Sequence, residues 1–268
     1  MYSINDMRNY ARRLGFGEAY MAEKDYLQEL LLMEIFSKVP ENRLVFRGGT
    51  ALAKIYGSGR FSDDLDFVAN EIKDRDALLG AVKGAINAMN DVYETTFTGP
   101  DTYKDMISYE IKINGPLFVQ SQHEASRQRV SIDINLYEKV ILTPLNLIRT
   151  PIYNDIPPYS LVVKQIEELL MDKVAALMER KRLPARDLYD IWAILVKNRA
   201  NLDKEKIGRV CNALQKTKGI TYSALTSRIA SVKPAWREEM SSLTNTPIEF
   251  NSVETEVKTH LKELLRLR

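Results

Sequence analysis

The stretch that decides the fold is LVFRGGTALAKIYGSGRFSDDLDFV, residues 44–68. Its first residues are apolar and predict a short strand, which the glycine pair Gly48-Gly49 ends. Residues 50–56 predict a short helix, and the Gly-Ser-Gly sequence at 57–59 predicts a loop. A second strand over residues 65–68 follows Asp64 and contains Asp66. The stretch therefore predicts the order strand, glycine turn, helix, loop, strand, with acidic residues on the second strand.

The residue types at these positions suit the binding of a triphosphate. Gly48 and Gly49 allow backbone N–H groups to approach phosphate oxygens, and the beginning of a helix adds a favourable dipole. Thr50 adds a hydroxyl donor. Asp64 and Asp66 are two residues apart, so on a strand both carboxylates point to the same side. Paired carboxylates are the ligands that Mg²⁺ prefers, and phosphate oxygens would complete its octahedral shell.

A third carboxylate is expected from the sequence RVSIDINLY, residues 129–137, whose alternating apolar residues predict a strand with one buried face. Asp133 lies on the opposite face and is the candidate for a third metal ligand or for a general base. Each of these pieces also occurs in proteins without such chemistry: Gly-Gly turns precede many helices, and Asp66 is compatible with the surface of an edge strand. Their joint order along the chain favours a catalytic interpretation.

The rest of the sequence predicts two domains of different composition. Four prolines between residues 143 and 160 predict an extended connector, and the sequence beyond it is predicted to be wholly helical. We therefore predict an α+β fold. Residues 1–158 would form a domain with a mixed β-sheet flanked by helices, and residues 159–268 an all-helical domain that closes the substrate cleft. The predicted helices are 24–38, 74–90, 164–181, 186–197, 204–216, 222–232 and 253–267, and the predicted strands outside residues 44–68 are 92–97, 107–113 and 130–137.

Bulk composition limits the class of protein. With 268 residues, 45% hydrophobic and 28% charged, the chain has the composition of a globular protein. Its one cysteine, Cys211, excludes an intrachain disulfide and a cysteine-based zinc site. No apolar run suits a membrane span and no signal pattern is present, so we expect a cytoplasmic protein. Residues 161–268 hold 20 Lys and Arg against 14 Asp and Glu. This excess hints at a polyanionic partner, although chance bias on a solvated helical surface explains it equally.

Two motifs of this chain resemble those of a known family. The first, GGTALAKIYGSGRFSDDLDF at residues 48–67, is similar to the first motif of the AbiEii/AbiGii-type nucleotidyltransferase toxins, within the DNA polymerase β-like nucleotidyltransferase superfamily. The second, EELLMDKVAALMERKRLPARDLYDIWAIL at residues 167–195, is similar to that family's helix with a lysine, followed by an Arg-Asp-x-x-Asp helix. The order of the two motifs along the chain agrees with the family as well.

The resemblance implies a nucleotidyltransferase that uses two Mg²⁺ ions and moves a nucleoside monophosphate from an NTP to an acceptor. It also implies a toxin of a toxin–antitoxin or phage-defence system, whose genetic partner is an AbiEi-type antitoxin that need not bind the toxin. Some relatives add nucleotides to the 3′ end of tRNA, so tRNA is the expected acceptor. Asp64, Asp66 and Asp133 would hold the metal, while Gly48, Gly49 and Thr50 would contact the phosphates.

The second motif contains charged residues on the apolar face of a predicted helix. Lys173 lies seven residues after Ile166 on that face, and Arg180 follows seven residues later. A charged group on an inward face needs a partner, which is either a triphosphate or a protein carboxylate. Asp187 is expected either to orient Lys173 or the acceptor, as a catalytic residue, or to be the N-cap of its helix.

Three other functions are compatible with parts of this sequence. A nucleotidyltransferase that modifies a protein side chain, or a small molecule such as an aminoglycoside, would use the same residues. A non-catalytic nucleotide-binding module is the alternative from another class, but Asp64, Asp66 and Asp133 are all present here, and a module without activity needs no such set. A protein-interaction subunit is the least suited, because it needs neither Gly48-Gly49-Thr50 nor the acidic pair.

Overall fold

The computed structural model describes residues 2–40, 43–70, 74–214, 220–245 and 248–265. The chain divides into two compact units that are each built from several segments. The first unit comprises Met1–Ala51, Phe61–Val140 and Pro144–Lys164. The second comprises Leu52–Arg60, Ile141–Thr143 and Gln165–Arg268.

The first unit is built on one seven-stranded mixed sheet. Its strands are β1 (Leu44–Arg47), β2 (Leu65–Ala69), β3 (Thr95–Tyr103), β4 (Met106–Ile113), β5 (Gln128–Asn135), β6 (Leu145–Arg149) and β7 (Tyr159–Val163). They are arranged in the order β3-β4-β5-β2-β1-β7-β6. The pairs β2–β5 and β1–β7 are parallel, and the other neighbours are antiparallel. Strands β1 and β2, which carry the sequence motif, therefore lie near the middle of the sheet.

The sheet has one face that the alternation of apolar residues buries. In β5, Val130, Ile132 and Ile134 are buried, while Asp133 between them is only half-buried. In β2, Leu65 and Phe67 flank Asp66 in the same way. The helices that cover this unit pack against each other and against the strands, and α2 contacts α1, α4, β5 and β7. The helices of this part of the chain are α1 (Ile4–Leu14), α2 (Ala19–Lys38), α3 (Gly48–Lys54, which runs on into the second unit), α4 (Arg75–Ala88) and the short α5 (His123–Ser126).

The second unit is helical throughout the described residues apart from its connecting loops. Helices α6 and α7 form its centre: α6 packs on α7, α8 and α9, and α7 also packs on α10 and α11. The carboxylate of Glu168, which is 1% exposed, accepts hydrogen bonds from the N–H groups of Ile141 and Leu142 at 3.0–3.2 Å. The remaining helices are α6 (Ile166–Glu179), α7 (Ala185–Lys197), α8 (Lys204–Ala213), α9 (Tyr222–Ala230), α10 (Lys233–Ser241) and α11 (Phe250–Leu264).

The fold class predicted from the sequence, an α+β part with a mixed sheet followed by helices, is confirmed. Residues 143–160 do not form the predicted extended connector, because β6 and β7 pair with each other at one edge of the sheet. The prolines of this segment flank these strands rather than interrupt them: Pro144 precedes β6, Pro151 follows it, and Pro158 precedes β7. In the division of the chain into compact units, β7 belongs with the sheet, and the last segment of the second unit begins at Gln165; the predicted domain boundary at residues 158/159 stays a prediction.

Several element bounds also differ from the prediction. Strand β3 begins three residues later than expected and extends to Tyr103, and neither α1 nor α10 was predicted. The predicted helix ends at Lys216 and Leu267 lie outside the described residues. Within the described ranges, no helix combines the length and the apolar composition needed to cross a bilayer.

Candidate functional site

Four polar residues of the first unit lie side by side across the sheet. Arg47 on β1 is paired with Asp66 on β2, Asp66 with Asp133 on β5, and Asp133 with Ser108 on β4. Residues that are paired across neighbouring strands point to the same face, and neighbouring strands are roughly 4.8 Å apart. The four side chains therefore form one row on one face of the sheet, which we call the carboxylate row.

The glycine turn contacts the carboxylate row directly. Gly48 has a φ of +78°, which L-residues with a side chain rarely adopt. A Cβ atom at this position would lie 2.2 Å from Oδ2 of Asp66, well inside van der Waals contact. Glycine at position 48 is thus required twice, for its backbone conformation and for the space that the Asp66 carboxylate occupies. The two halves of the sequence motif therefore approach each other closely at this pair.

Thr50 links α3 to the segment that carries Asp64. Its side chain is 1% exposed, and its hydroxyl donates a hydrogen bond of 2.5 Å to the backbone carbonyl of Asp64. Asp64 is half-buried and immediately precedes β2, and Gly49 is buried in the first turn of α3. In this structure the Thr50 hydroxyl therefore fixes the loop in front of β2. Its predicted contact with a phosphate stays a prediction.

Asp133 is oriented by its neighbour in the row. The Ser108 hydroxyl donates a hydrogen bond of 2.5 Å to Oδ1 of Asp133. Among the described residues, no three His, Cys, Asp or Glu side chains lie close enough together to hold a metal ion on their own. Mg²⁺ keeps several waters and is commonly held by one or two carboxylates plus substrate phosphates. The adjacent oxygen ligands of Asp66 and Asp133 fit that mode of binding.

A second group of charged residues lies at the Arg47 end of the row. Glu138 forms ion pairs with Arg47 and, at 2.6 Å, with Lys164, whose side chain is 1% exposed. Burial alone would raise the pKa of the Glu138 carboxyl, but Arg47 and Lys164 outweigh it and hold this pKa below its ordinary value. Glu138 is therefore ionised at neutral pH and holds the Arg47 guanidinium in place beside Asp66.

The second unit contains a compact group of five charged residues, which we call the ion-pair cluster. Lys173 Nζ lies 2.9 Å from Oδ1 of Asp187 and 2.8 Å from Oδ2 of Asp190. Arg60 binds both carboxylate oxygens of Asp190, at 2.6 Å through Nε and 2.7 Å through Nη2. Arg180 Nη1 lies 2.6 Å from Oδ2 of Asp187. The cluster thus joins three cations to two carboxylates.

The charges of this cluster support one another. Asp190 and Arg60 are 0% and 3% exposed, and burial alone would raise the pKa of the Asp190 carboxyl. Arg60 and Lys173 outweigh this effect and hold the pKa of Asp190 below its ordinary value. Burial alone would likewise lower the pKa of the Lys173 ammonium, but Asp190 and Asp187 keep it above its ordinary value. Asp190 and Lys173 are therefore charged near neutral pH.

The loop that carries Arg60 is fixed by side chains of α7 and of the residue that follows it. The carbonyl oxygen of Ser58 accepts hydrogen bonds from the Tyr189 hydroxyl at 3.0 Å and from Lys197 Nζ at 2.7 Å. The carbonyl oxygen of Tyr56 accepts another from the amide of Asn198 at 3.0 Å. These contacts explain how a glycine-rich loop holds an arginine in a defined buried position.

The residues that sequence analysis singled out fall into both units. Gly48, Gly49, Thr50, Asp64, Asp66 and Asp133 belong to the first unit, and Lys173, Arg180 and Asp187 to the second. Helix α7 begins at Ala185 with Pro184 as its N-cap, so the N-cap interpretation of Asp187 is wrong. Lys173 and Arg180 have protein carboxylates as partners, and their predicted contacts with a triphosphate stay predictions.

Other residues of these sites were not predicted. Sequence reasoning assigned no role to Arg47, Arg60, Ser108, Glu138 or Lys164, although Arg47 and Arg60 lie within the decisive stretch. A basic residue directly before Gly48 and another at the end of a Gly-Ser-Gly loop were the available signals. Ser108 and Glu138 are recognisable only once the pairing of the strands is known.

The fold is that of nucleotidyltransferases with solved structures. A candidate nucleotidyltransferase from Helicobacter pylori superposes with a TM-score of 0.62 at 18% identity, over 91% of this chain and 96% of that chain. JHP933 from Helicobacter pylori superposes with a TM-score of 0.58 at 17% identity, over 91% of this chain and 93% of that chain. The nucleotidyltransferase toxin MenT4 from Mycobacterium tuberculosis superposes with a TM-score of 0.62 at 19% identity, over 100% of this chain and 91% of that chain. At these identities the likeness shows the fold.

Sequence comparison then identifies the family. The model of the nucleotidyl transferase AbiEii toxins of type IV toxin–antitoxin systems matches residues 30–253. The chain belongs to this family, which confirms the resemblance seen in residues 48–67 and 167–195. Among curated proteins, none matches the chain in sequence closely enough to add to this result.

Proposed function

We propose that this toxin transfers a nucleoside monophosphate from an NTP to the 3′ end of tRNA in a Mg²⁺-dependent reaction that releases pyrophosphate. The observation that carries the proposal is the strand register that sets Asp66 directly opposite Asp133, with the Gly48 backbone against the Asp66 carboxylate. Two carboxylates on one face of a sheet, beside a backbone turn without side chains, suit the binding of a metal–triphosphate complex.

The carboxylates would hold the metal. Asp66 on β2, Asp64 just before it and Asp133 on β5 would supply oxygen ligands together with substrate phosphates and water, since the three carboxylates do not hold a metal ion on their own. Mg²⁺, in one or two ions, would neutralise charge on the triphosphate and stabilise the attacking and leaving oxygens of an in-line displacement. Asp66 and Asp133 are paired on neighbouring strands, so a cation between them would offset the repulsion of their negative charges.

The protein's own groups position the reaction. The hydroxyl of the acceptor attacks the α-phosphorus, a new phosphodiester bond forms, and the bond to pyrophosphate breaks. Asp133, when it is not a metal ligand, accepts the proton of that hydroxyl, and the hydrogen bond from Ser108 fixes the direction of its carboxylate. Gly48 and Gly49 allow the phosphates to approach the backbone. We assign Lys173 and Arg180 to phosphate binding and Asp187 to orienting Lys173, 2.9 Å away.

One observation supports RNA as the acceptor: residues 161–268 carry an excess of Lys and Arg over Asp and Glu, 20 against 14. A toxin that consumes NTP and tRNA would act in the cytoplasm, where both are found, and its genetic partner would be an AbiEi-type antitoxin.

The test is to incubate the purified protein with total RNA, Mg²⁺ and each of the four α-labelled NTPs in turn, with the Asp66→Asn variant as the control. We expect label in the tRNA band with at least one NTP, and none with the variant or with EDTA. The same reactions should be repeated with cell protein and with an aminoglycoside in place of RNA. Label in protein or drug, with none in RNA under any NTP, would overturn the tRNA assignment.

A further inference from the structure

Three arginines of the second unit converge on one surface cavity at the junction of α6 and α7. The cavity has a volume of about 420 Å³, and we call it the arginine pocket. Its walls include Arg180, Arg182 and Arg186, with Pro184 between them in sequence. Arg180, Arg182 and Arg186 are exposed, so their guanidinium groups remain accessible to solvent.

The backbone that carries these arginines is held in place by another. Arg228 on α9 donates a hydrogen bond of 3.0 Å from Nε to the carbonyl oxygen of Leu177, and another from Nη2 to that of Arg180. These are carbonyl groups at the end of α6, which have no partner within the helix. Arg180 is fixed further by its ion pair with the buried Asp187. The end of α6 and the Arg180 side chain are therefore held in place at the edge of the arginine pocket.

The lining of the pocket carries a net positive charge, although Arg180 is paired with Asp187. Among the described residues that line it, Glu239 is the one acid, and its carboxylate accepts a hydrogen bond of 2.6 Å from the N–H of Ala185 at the beginning of α7. This contact draws the acidic group toward the helix backbone, while three guanidinium groups line the same cavity. A concave surface with a net positive charge concentrates anions, because the low-dielectric walls focus the field.

We propose that Arg182 and Arg186 of the arginine pocket bind the phosphodiester backbone of the RNA acceptor, while Arg180 keeps its assignment to the phosphates of the NTP. Planar guanidinium groups bind phosphate oxygens in pairs, and several within one cavity match the repeated charges of a nucleic acid backbone. Such contacts fix the position of an RNA without reading its sequence. The choice of RNA rests on the proposed function, which requires the enzyme to hold a polyanion. An acidic protein segment is the competing occupant.

The test compares two double variants of equal charge. Arg182→Gln/Arg186→Gln alters the pocket and leaves Arg180, which binds Asp187, intact. Arg129→Gln/Arg199→Gln is the matched control, because both of these arginines are more than half exposed and pair only with surface glutamates among the contacts described. Binding of a 5′-labelled tRNA is measured by fluorescence anisotropy between 50 and 200 mM salt, in the absence of NTP.

Each lost phosphate contact lowers the slope of log affinity against log salt by about 0.9. If two contacts are lost, the ratio of the affinity at 50 mM salt to that at 200 mM salt should be about tenfold smaller in the pocket variant than in the wild type. In the control variant this ratio should stay unchanged. At saturating RNA, the pocket variant should keep the wild-type rate and the wild-type KM for NTP, and only the KM for RNA should rise.

The outcomes separate this proposal from the proposed function. A pocket variant with the wild-type salt slope overturns the pocket assignment, whatever the enzyme transfers. A reduced slope supports the pocket assignment even where the wild-type protein labels no RNA, and in that case it is the proposed reaction that fails. Polyglutamate is the probe for the competing occupant. If it binds tightly and competes with RNA for the wild-type protein but not for the pocket variant, the ligand of the arginine pocket is an acidic protein segment rather than RNA.

Discussion

Replacing Arg60 by methionine removes the guanidinium that binds both oxygens of Asp190 while keeping a long, unbranched side chain. The two groups are 3% and 0% exposed, and their hydrogen bonds measure 2.6 and 2.7 Å. Removing one partner of such a buried pair costs about 3–5 kcal/mol, because the remaining charge keeps its desolvation cost. Lys173 still lies 2.8 Å from Asp190, so we expect Arg60→Met to lower the free energy of unfolding by about 3 kcal/mol, the lower end of that range.

The assay is urea denaturation followed by tryptophan fluorescence. Both tryptophans, Trp192 and Trp236, belong to the second unit, so the fluorescence signal reports its unfolding specifically. The control is Arg199→Met, which removes an exposed ion pair with Glu263 and should leave the unfolding midpoint unchanged. An Arg60→Met variant whose free energy of unfolding lies within about 1 kcal/mol of the wild type would refute the reasoning.

The pH dependence of this difference supplies a second check. Burial raises the pKa of the Asp190 carboxyl, but Arg60 and Lys173 outweigh it and lower this pKa overall. A carboxyl with a depressed folded-state pKa contributes stability that is complete above its unfolded pKa of about 3.9 and is lost as the pH falls through the folded value. The gap between wild type and Arg60→Met should therefore be full at neutral pH and narrow below about pH 4. A gap that widens on acidification contradicts the assignment.

Three further substitutions test the carboxylate row. Gly48→Ala should lower the free energy of unfolding by about 1–2 kcal/mol because of the positive φ, and it should abolish nucleotide transfer by displacing the Asp66 carboxylate. Gly57→Ala is the control: its φ is +64° and a Cβ atom there would meet nothing within 4 Å, so this variant should lose stability and keep activity. Urea denaturation and labelled-NTP transfer measure the two effects. Asp66→Asn should abolish transfer in the labelled-NTP assay, because a metal ligand is lost, while thermal melting should show that the variant, which keeps the shape of the side chain, still folds. An active variant would end the metal-site assignment. Ser108→Ala should lower kcat about tenfold with the KM for NTP unchanged, because one hydrogen bond that orients Asp133 is lost; a kcat equal to that of the wild type would show that the bond is dispensable.

The strand–turn–helix–strand order around Gly48 could be predicted because each element has a strong local signal. The glycine pair, the Gly-Ser-Gly loop and the alternation in β5 all depend on residues close together in the chain. The position of Asp66 opposite Asp133 could not be predicted in the same way. It depends on β2 and β5 becoming neighbours although β3 and β4 lie between them in sequence, and only the folded sheet decides that pairing.

The missed features have similar causes. Prolines beside a strand and prolines in a connector look alike in a sequence, so the pair β6–β7 was mistaken for an extended segment. Arg60 is separated by 130 residues from Asp190, and no local pattern links a loop arginine to a helix carboxylate at that distance. The inward position of Lys173 was recognisable from periodicity alone, and Asp187 was one expected partner, but Asp190 was not.

The second unit takes up two short segments from the first part of the chain, and this has a consequence for broken copies of the toxin. A fragment beginning at Gln165 would lack Arg60 and the N–H groups of Ile141 and Leu142, which bind the buried acids Asp190 and Glu168. Asp190 would keep Lys173 but lose Arg60, and Glu168 would lose two N–H donors, so the fragment should be destabilised and degraded rather than persist as a helical remnant. For the same reason, a nonsense mutation or a protease cut near Gln165 would inactivate the whole protein at once. We expect the harm done by this toxin to be lost in a single step, with no partly active halves left in the cell.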